Sequence, residues 1–305
     1  MKSIEYALVT PARNEERCIG QTIDAVVAQT KRPVRWVIVS DGSVDKTDEI
    51  VAGYARTHSF IELLRPEEKR QKDFGSKAKA FKAGYEKLNG LAYDFVGNLD
   101  ADVTFEPGYF ETLLNRFQSN SRLGIGGGII LERFEEEFVS QRISRDSVAG
   151  AVQLFRRECF EATGGYIPMK GGGIDAAIEI VAKSHGWTVE TFSELPVLHH
   201  RRVTTGQGSI LNTRFNQGVN NYRLGYHPLF QIVSAAYRSL DQPYVIGGAM
   251  ILAGFLWSAL RGDEQPLSRA VIAHLRSEQM ARLSRLGRGA TRGEAVATRA
   301  REVKD

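Results

Sequence analysis

The alternation of two hydrophobic rhythms over about the first 120 residues constrains this chain more than any other feature. Short β-rich apolar runs begin at Tyr6 ("YALVTP"), Val34 ("VRWVIVS"), Phe60 ("FIELLRP") and Tyr93 ("YDFVGNL"). Each is followed by a stretch with helical spacing. In the first of these, Ile19, Ile23, Val26 and Val27 share one face. In the fourth, Pro107 is placed for a helix start. Four strand–helix alternations predict an α/β fold with a mostly parallel sheet and helices on both faces. In such sheets ligands collect beyond the carboxyl ends of the strands. Three polar clusters fall there, "TPARNEE", "SDGSVD" and "NLDADV". Their convergence makes one shared crevice the natural expectation.

After residue 122 the pattern changes. "LGIGGGIILERF" reads as a glycine-rich strand, "AVQLFRRECFEATGGY" as strand then short helix, and "KGGGIDAAIEIVAKSHGW" as a glycine loop opening an amphipathic helix. Composition narrows the function classes. With 42% hydrophobic and 25% charged residues the chain can bury a core. A net charge of +4 gives no sign of a nucleic-acid partner, but suits a neighbourhood of anionic lipids or phosphates. Cys18 and Cys159 make no disulfide framework and fit a reducing compartment. The opening residues lack the long apolar stretch of a signal peptide. The expected location is therefore cytoplasmic, at the cytoplasmic face of the membrane.

The run Tyr244–Leu260 carries no charge and has the lower-limit length for a bilayer span. Two readings stand: a membrane-embedded or re-entrant helix, or a helix packed on the rest of the protein or on a second copy in a homo-oligomer. The arginine-sided helix after Gln265 favours an anionic membrane surface. The domain plan is a first domain over 1–205, a helical extension over 206–286, and a disordered tail over 287–305.

Within the polar clusters, Asp100 and Asp102 pose a charge problem. Two neighbouring carboxylates at a strand end need either solvent or a cation. Residues i and i+2 of a strand share a side, so both could meet one divalent ion; the plain alternative is a solvated turn. Asp41, at the second strand tip, could accept a hydrogen bond from a base imide, while Asp45 reads as a structural cap. Lys77, after Gly75, could reach a diphosphate; Lys79 and Lys82 read as a solvated face. Asp175, delivered by three glycines to a helix start, is either a general base or an N-cap, and the two roles compete. In "LHHRR", His199 or His200 could ligate a metal and the arginines hold phosphate. One histidine must point away.

Taken in order, "VTPARNEE", "VSDGSVDKT", "FGSKAKAFKAG", "NLDADV" and "GGYIPMKGGGIDAAIE" resemble the family-2 inverting glycosyltransferases of the GT-A fold, over about residues 5 to 205. The resemblance implies a nucleotide-diphospho-sugar transferase fold with a C-terminal helical extension. It places Pro11, Arg13 and Glu15 in the nucleotide loop, Asp41 at the base and Lys77 near the phosphates. Asp100 falls on ribose or metal, Asp102 on the metal, and Asp175 matches the base. His199 or His200 matches a late histidine that some members add to the metal shell. Mg2+ or Mn2+ and a UDP- or GDP-type sugar donor are implied with it, and the expected place on the cytoplasmic leaflet suits a lipid-linked or growing surface glycan as acceptor. Ser40 and Ile174 stand where the family often has acids, and the Gln-x-x-Arg-Trp signature of polymerising members is missing. One sugar per encounter is therefore expected. A sugar nucleotidyltransferase would carry a glycine-rich first loop, which "TPARNEER" lacks. A dinucleotide oxidoreductase would need its glycine motif directly after the first strand. A non-catalytic nucleotide-sugar-binding module is the remaining alternative.

Overall fold

The computed structural model describes residues 4–66, 76–134, 137–140, 144–201, 210–239 and 244–302, with backbone alone beyond 285. The chain divides into two compact units, Met1–Gly206 and Gln207–Asp305. The first contains, in chain order, β1 (Tyr6–Ala12), α1 (Ile19–Val27), β2 (Arg35–Ser40), α2 (Thr47–Thr57), β3 (Ile61–Leu64), α3 (Ser76–Glu86), β4 (Phe95–Leu99), β5 (Val103–Phe105), α4 (Tyr109–Ser119), β6 (Leu123–Phe134), β7 (Glu137–Ser140), β8 (Val152–Arg156), α5 (Arg157–Thr163), α6 (Ile174–Ser184) and β9 (Thr188–His199).

These strands form one sheet in the order β3-β2-β1-β4-β8-β6-β9-β5, with β7 paired to β6. Its first half is parallel as the alternation predicts: β1 pairs in parallel with β2 and β4, and β2 with β3. The second half is mixed. β8 is antiparallel to both β4 and β6, β5 is antiparallel to β9, and β6 and β9 are parallel.

Strand pleating sorts the core into two layers. Tyr6, Leu8, Trp36 and Ile38 pack with α1 and α4 residues on one face; Ala7, Val9, Val37 and Val39 pack with α3, α5 and α6 residues on the other. A strand buried on both faces reads as a continuous apolar run, which is why "YALV" and "WVIV" show no alternation. Trp36 is fully buried, and its indole N–H donates to Thr10 Oγ1 at 2.9 Å, so the polar atom costs little. On the second face α3 approaches the sheet closely. A Cβ at Gly84 would lie 2.5 Å from Val9 Cγ1, so only glycine lets the helix sit there. That approach fixes the helix whose first turn carries Lys77.

The second unit contains α7 (Ile210–Arg223), α8 (Pro228–Arg238), α9 (Ile246–Leu260) and α10 (Arg269–Glu302). α9 matches the charge-free run. Gly254 would meet Phe215 O at 2.0 Å if it had a Cβ, and Gly248 would meet Ala235 O at 2.4 Å. One side of α9 thus packs backbone-close on α7 and α8. No helix among the described residues is long and apolar enough to cross a membrane. α10 is helical through Glu302, across most of the stretch expected to be an unstructured tail.

Candidate active site

The polar clusters converge as their positions in the fold require. The end of β1 delivers Pro11, Arg13 and Glu15, the tip of β2 delivers Asp41, and the first turn of α3 delivers Lys77. The end of β4 supplies Asp100 and Asp102, and the end of β9 supplies His199. All line one cleft of about 310 Å³. Gly75, just before α3, lies outside the described residues. The loops after β1 and β2 brace each other. Asp45 accepts from Thr47 N (3.0 Å) and Glu16 N (3.1 Å), and Asn14 Oδ1 accepts from Val44 N at 2.9 Å. Asp45 is structural. Gly42 makes the turn beside it with φ of 75°. Arg13 stands 3.9 Å from Asp41, and its buried Nη1 has no hydrogen-bond partner among the described residues.

Asp100 and Asp102 reach the cleft by a different route from the expected strand pleat. β4 ends at Leu99, and both acids lie in the turn before β5. The turn is pinned from below by Thr22 Oγ1, which donates to Ala101 O at 2.9 Å. Cations of the chain offset the repulsion between the acids. Lys77 Nζ is 2.6 Å from Asp100 Oδ1, and Arg201 Nε is 3.7 Å from Asp102 Oδ2. Arg201 also pairs with Glu15. Burial would raise the Asp102 carboxyl, but His199, Arg201 and Lys77 outweigh it and hold the group below its ordinary value. Burial and then the charge of Asp102 push Glu15 the other way, up to about 7. Arg201 appeared in the sequence only as one of two arginines beside the histidines. Its part in the cleft depends on a β9 register that no local signal reveals.

β9 also resolves the two histidines. His199 Nε2 lies 3.2 Å from Asp102 Oδ1. His200 turns the other way and meets Thr104 Oγ1 at 2.8 Å. His200, one residue past the end of β9, is therefore corrected out of the candidate metal set, because its ring is engaged with Thr104 and not with the acids. Asp100, Asp102 and His199 each offer a ligand atom within 4.8 Å of the others. The set fits a divalent ion: two carboxylates and an imidazole are hard-to-borderline donors. Adjacent ligands on an octahedral ion with bonds of about 2.1 Å stand about 3 Å apart, close to the Asp102–His199 separation. His199 Nδ1 is buried and unpartnered among the described residues, leaving Nε2 as the atom engaged with the acids.

A second cavity of about 210 Å³ adjoins the first through Lys77, and Asp175 lines it with Gly150, Tyr166, Gly172, Gly173 and Ile174. Gly171, Gly172 and Gly173 hold φ of 91°, 97° and 92°, a run of left-handed residues that only glycine adopts without strain. Gly173 takes the cap position of α6, so Asp175 is freed from capping and makes no hydrogen bond to the helix end. Under this cavity runs a buried polar chain. Tyr166 OH donates to Gln153 Oε1 (2.6 Å), and Gln153 Nε2 donates to Glu179 Oε1 (3.3 Å). Glu179 also accepts from Val148 N at 2.7 Å. Sequence reading missed Tyr166, Gln153 and Glu179. The one available signal was a glutamate one turn after Asp175 on an otherwise apolar helix face.

A family model for glycosyl transferase family 2 matches residues 7–172, more than half of the chain. The chain belongs to glycosyl transferase family 2. Among curated family relatives, 4,4'-diaponeurosporenoate glycosyltransferase of Staphylococcus aureus (strain USA300) is 27% identical over 180 residues, 52% of this chain and 46% of the relative. The match spans about half the length of such relatives. Solved structures share the fold. S. aureus TarS 1-349 in complex with UDP-GlcNAc has a TM-score of 0.54 at 14% identity, over 85% of this chain and 73% of that one. Mannosyltransferase PcManGT from Pyrobaculum calidifontis, in complex with GDP-Man and Mn2+, has 0.55 at 17% identity, over 97% and 85%. This family-2 chain therefore has the GT-A fold that its motifs led one to expect, and its strand-end cleft lies within the matched region apart from the contribution of β9.

Proposed function

We propose that this chain transfers one sugar from a nucleotide-diphosphate sugar to an acceptor hydroxyl, with inversion at the anomeric carbon. The observation that carries the reading is the adjoining of two unlike cavities at Lys77. One holds Asp41, Asp100, Asp102 and His199; the other holds Asp175 and no second carboxylate among its described lining. A lone carboxylate suits a single displacement assisted by a general base, whereas a double displacement needs a nucleophile in addition.

In this reading Arg13 and Asp41 orient the base and ribose, with Pro11 and Glu15 shaping the loop around them. Lys77, held by Asp100 at 2.6 Å and by Gly150 O at 3.3 Å, faces the diphosphate and supports its departure as an anion. Asp102, Asp100 and His199 would hold a divalent ion, and the chemistry it would supply there is neutralisation of charge on the leaving diphosphate. The imidazole in the set favours Mn2+ over Mg2+, since Mg2+ takes oxygen ligands almost alone. Asp175 takes the proton of the attacking hydroxyl. Donors of the UDP or GDP type are supported by the ligands named in the TarS and PcManGT structures. For the acceptor we read a lipid-linked or growing surface glycan, reached from the cytoplasmic face of the membrane; the charge-free helix α9 and the basic residues of its unit support this.

Titration calorimetry with Mn2+ and nucleotide, beside a transfer assay, tests the roles. Asp175→Asn should abolish transfer and leave nucleotide affinity nearly intact, while Asp102→Ala should lose the metal-dependent part of that affinity. Equal loss of binding in both variants would overturn the assignment.

A further inference from the structure

α9 is apolar all round, a composition that belongs to a fully buried helix, yet among the described residues only one side of it is covered. The glycine-rich side packs on α7 and α8. The other side exposes Ile246, Ala249, Ala253, Leu256, Trp257 and Leu260, a single stripe at helical spacing without a polar atom except the indole nitrogen. Leu260 is 86% exposed and Leu256 59%. α8, whose end abuts the start of α9 at Gly248, repeats the pattern with Leu229, Ile232, Val233 and Tyr237 turned outward. Exposed apolar stripes of this size mark an interaction site.

Charge identifies what covers it. α7, α8 and α9 together contain three arginines and no acidic residue. Residues 207–305 hold thirteen Lys or Arg against seven Asp or Glu, a net of +6 in a chain whose total is +4. The excess of positive charge is therefore confined to the unit that carries the bare stripe. At the end of the stripe, the Arg261 guanidinium stands 5.8 Å over the Trp257 ring, an aromatic–cation pair suited to the boundary between acyl chains and headgroups. α9 spans about 22 Å at 1.5 Å per residue, too short for a hydrocarbon core of about 30 Å. A helix of this kind lies in the interface plane.

We propose that the outward stripes of α8 and α9 seat this chain on an anionic phospholipid bilayer without crossing it. The proposal deepens the membrane-side acceptor reading and rests on it, but no residue of the transfer site takes part, so loss of membrane binding and loss of sugar transfer are told apart.

The test is co-sedimentation of the full chain with vesicles of phosphatidylcholine alone and of phosphatidylcholine doped with phosphatidylglycerol, read without donor or acceptor. The chain should pellet with the anionic vesicles and largely remain in solution with the neutral ones. The double variant Leu256→Glu/Leu260→Glu should lower partition at least about tenfold, since two leucine side chains lose their apolar burial. Should that variant misfold, fluorescence quenching by brominated lipid serves with the unaltered chain: emission present in the parent and absent in Trp257→Phe should be quenched. Failure to pellet with anionic vesicles would overturn the proposal. So would unchanged partition of the double variant, or unquenched Trp257. A concentration-dependent dimer that the double variant dissociates would assign the stripe to a second copy instead.

Discussion

The carboxylate of Asp175 rests against the bare Cα of Gly150: a Cβ there would come within 2.9 Å of Asp175 Oδ2. The carbonyl of the same glycine accepts from Asn98 Nδ2 at 2.6 Å and from Lys77 Nζ at 3.3 Å. One residue thus sets the distance between the proposed base and the proposed diphosphate cation. Gly150→Ala should displace Asp175 and lower kcat by about a hundredfold, the scale of a misplacement of about 1 Å. Nucleotide affinity should change far less, because the other cavity is untouched. Parallel calorimetry and steady-state kinetics check the split.

Lys77 belongs to both cavities, so its removal should act on both terms. Lys77→Met should weaken nucleotide-diphosphate binding at least about tenfold, the loss of one charge-assisted contact. It should weaken nucleoside binding little. Comparing Kd for the diphosphate and the unphosphorylated nucleoside separates a phosphate contact from a general collapse of the cleft.

The histidines give a paired prediction. His199→Ala should cut Mn2+ affinity by about tenfold to a hundredfold, the range for losing a ligand or its close support. His200→Ala, which removes a partner of Thr104 outside the cluster, should leave it within about twofold. Electron paramagnetic resonance of free Mn2+ reads both without reference to turnover.

Glu179 supplies a pH dependence. It is 4% exposed, and burial pushes its carboxyl up to about 7 from 4.5. The folded state then holds a proton that the unfolded chain releases between those values. Stability from this group is complete below about 4.5 and falls as pH rises towards 7, by about 3 kcal/mol at most. Glu15, also pushed up to about 7, acts in the same direction. Tm should therefore fall between pH 5 and pH 8, and Glu179→Gln should remove part of that fall. Thermal melts across the range, with an unaltered slope in the variant as the contrary result, decide it.

The parallel half of the sheet was legible because its signals are local: buried runs of four to six residues, helical spacing, turn glycines. The mixed half was not. β5 is three residues long, and its partner lies nearly a hundred positions away, Val103 opposite His199. No window of sequence contains that pairing. The same long reach hid which histidine faces the acids and brought Arg201 to Glu15. Asp100 and Asp102 do stand together in the cleft, but a turn and not the expected pleat brings them there. Asp175 lies in the first turn of α6 and lines the second cavity, while Gly173 takes the cap position, a backbone detail that the run of three glycines did not reveal.

The left-handed run Gly171–Gly173 has a consequence for anyone reshaping this protein. Each of those three positions penalises every other amino acid through the backbone before any contact with a substrate is made. A mutational library spread over them would return mostly strained loops, whatever its new side chains could bind. Tyr166, which lines the same cavity, offers no easy alternative, because its hydroxyl anchors the buried chain that runs through Gln153 to Glu179.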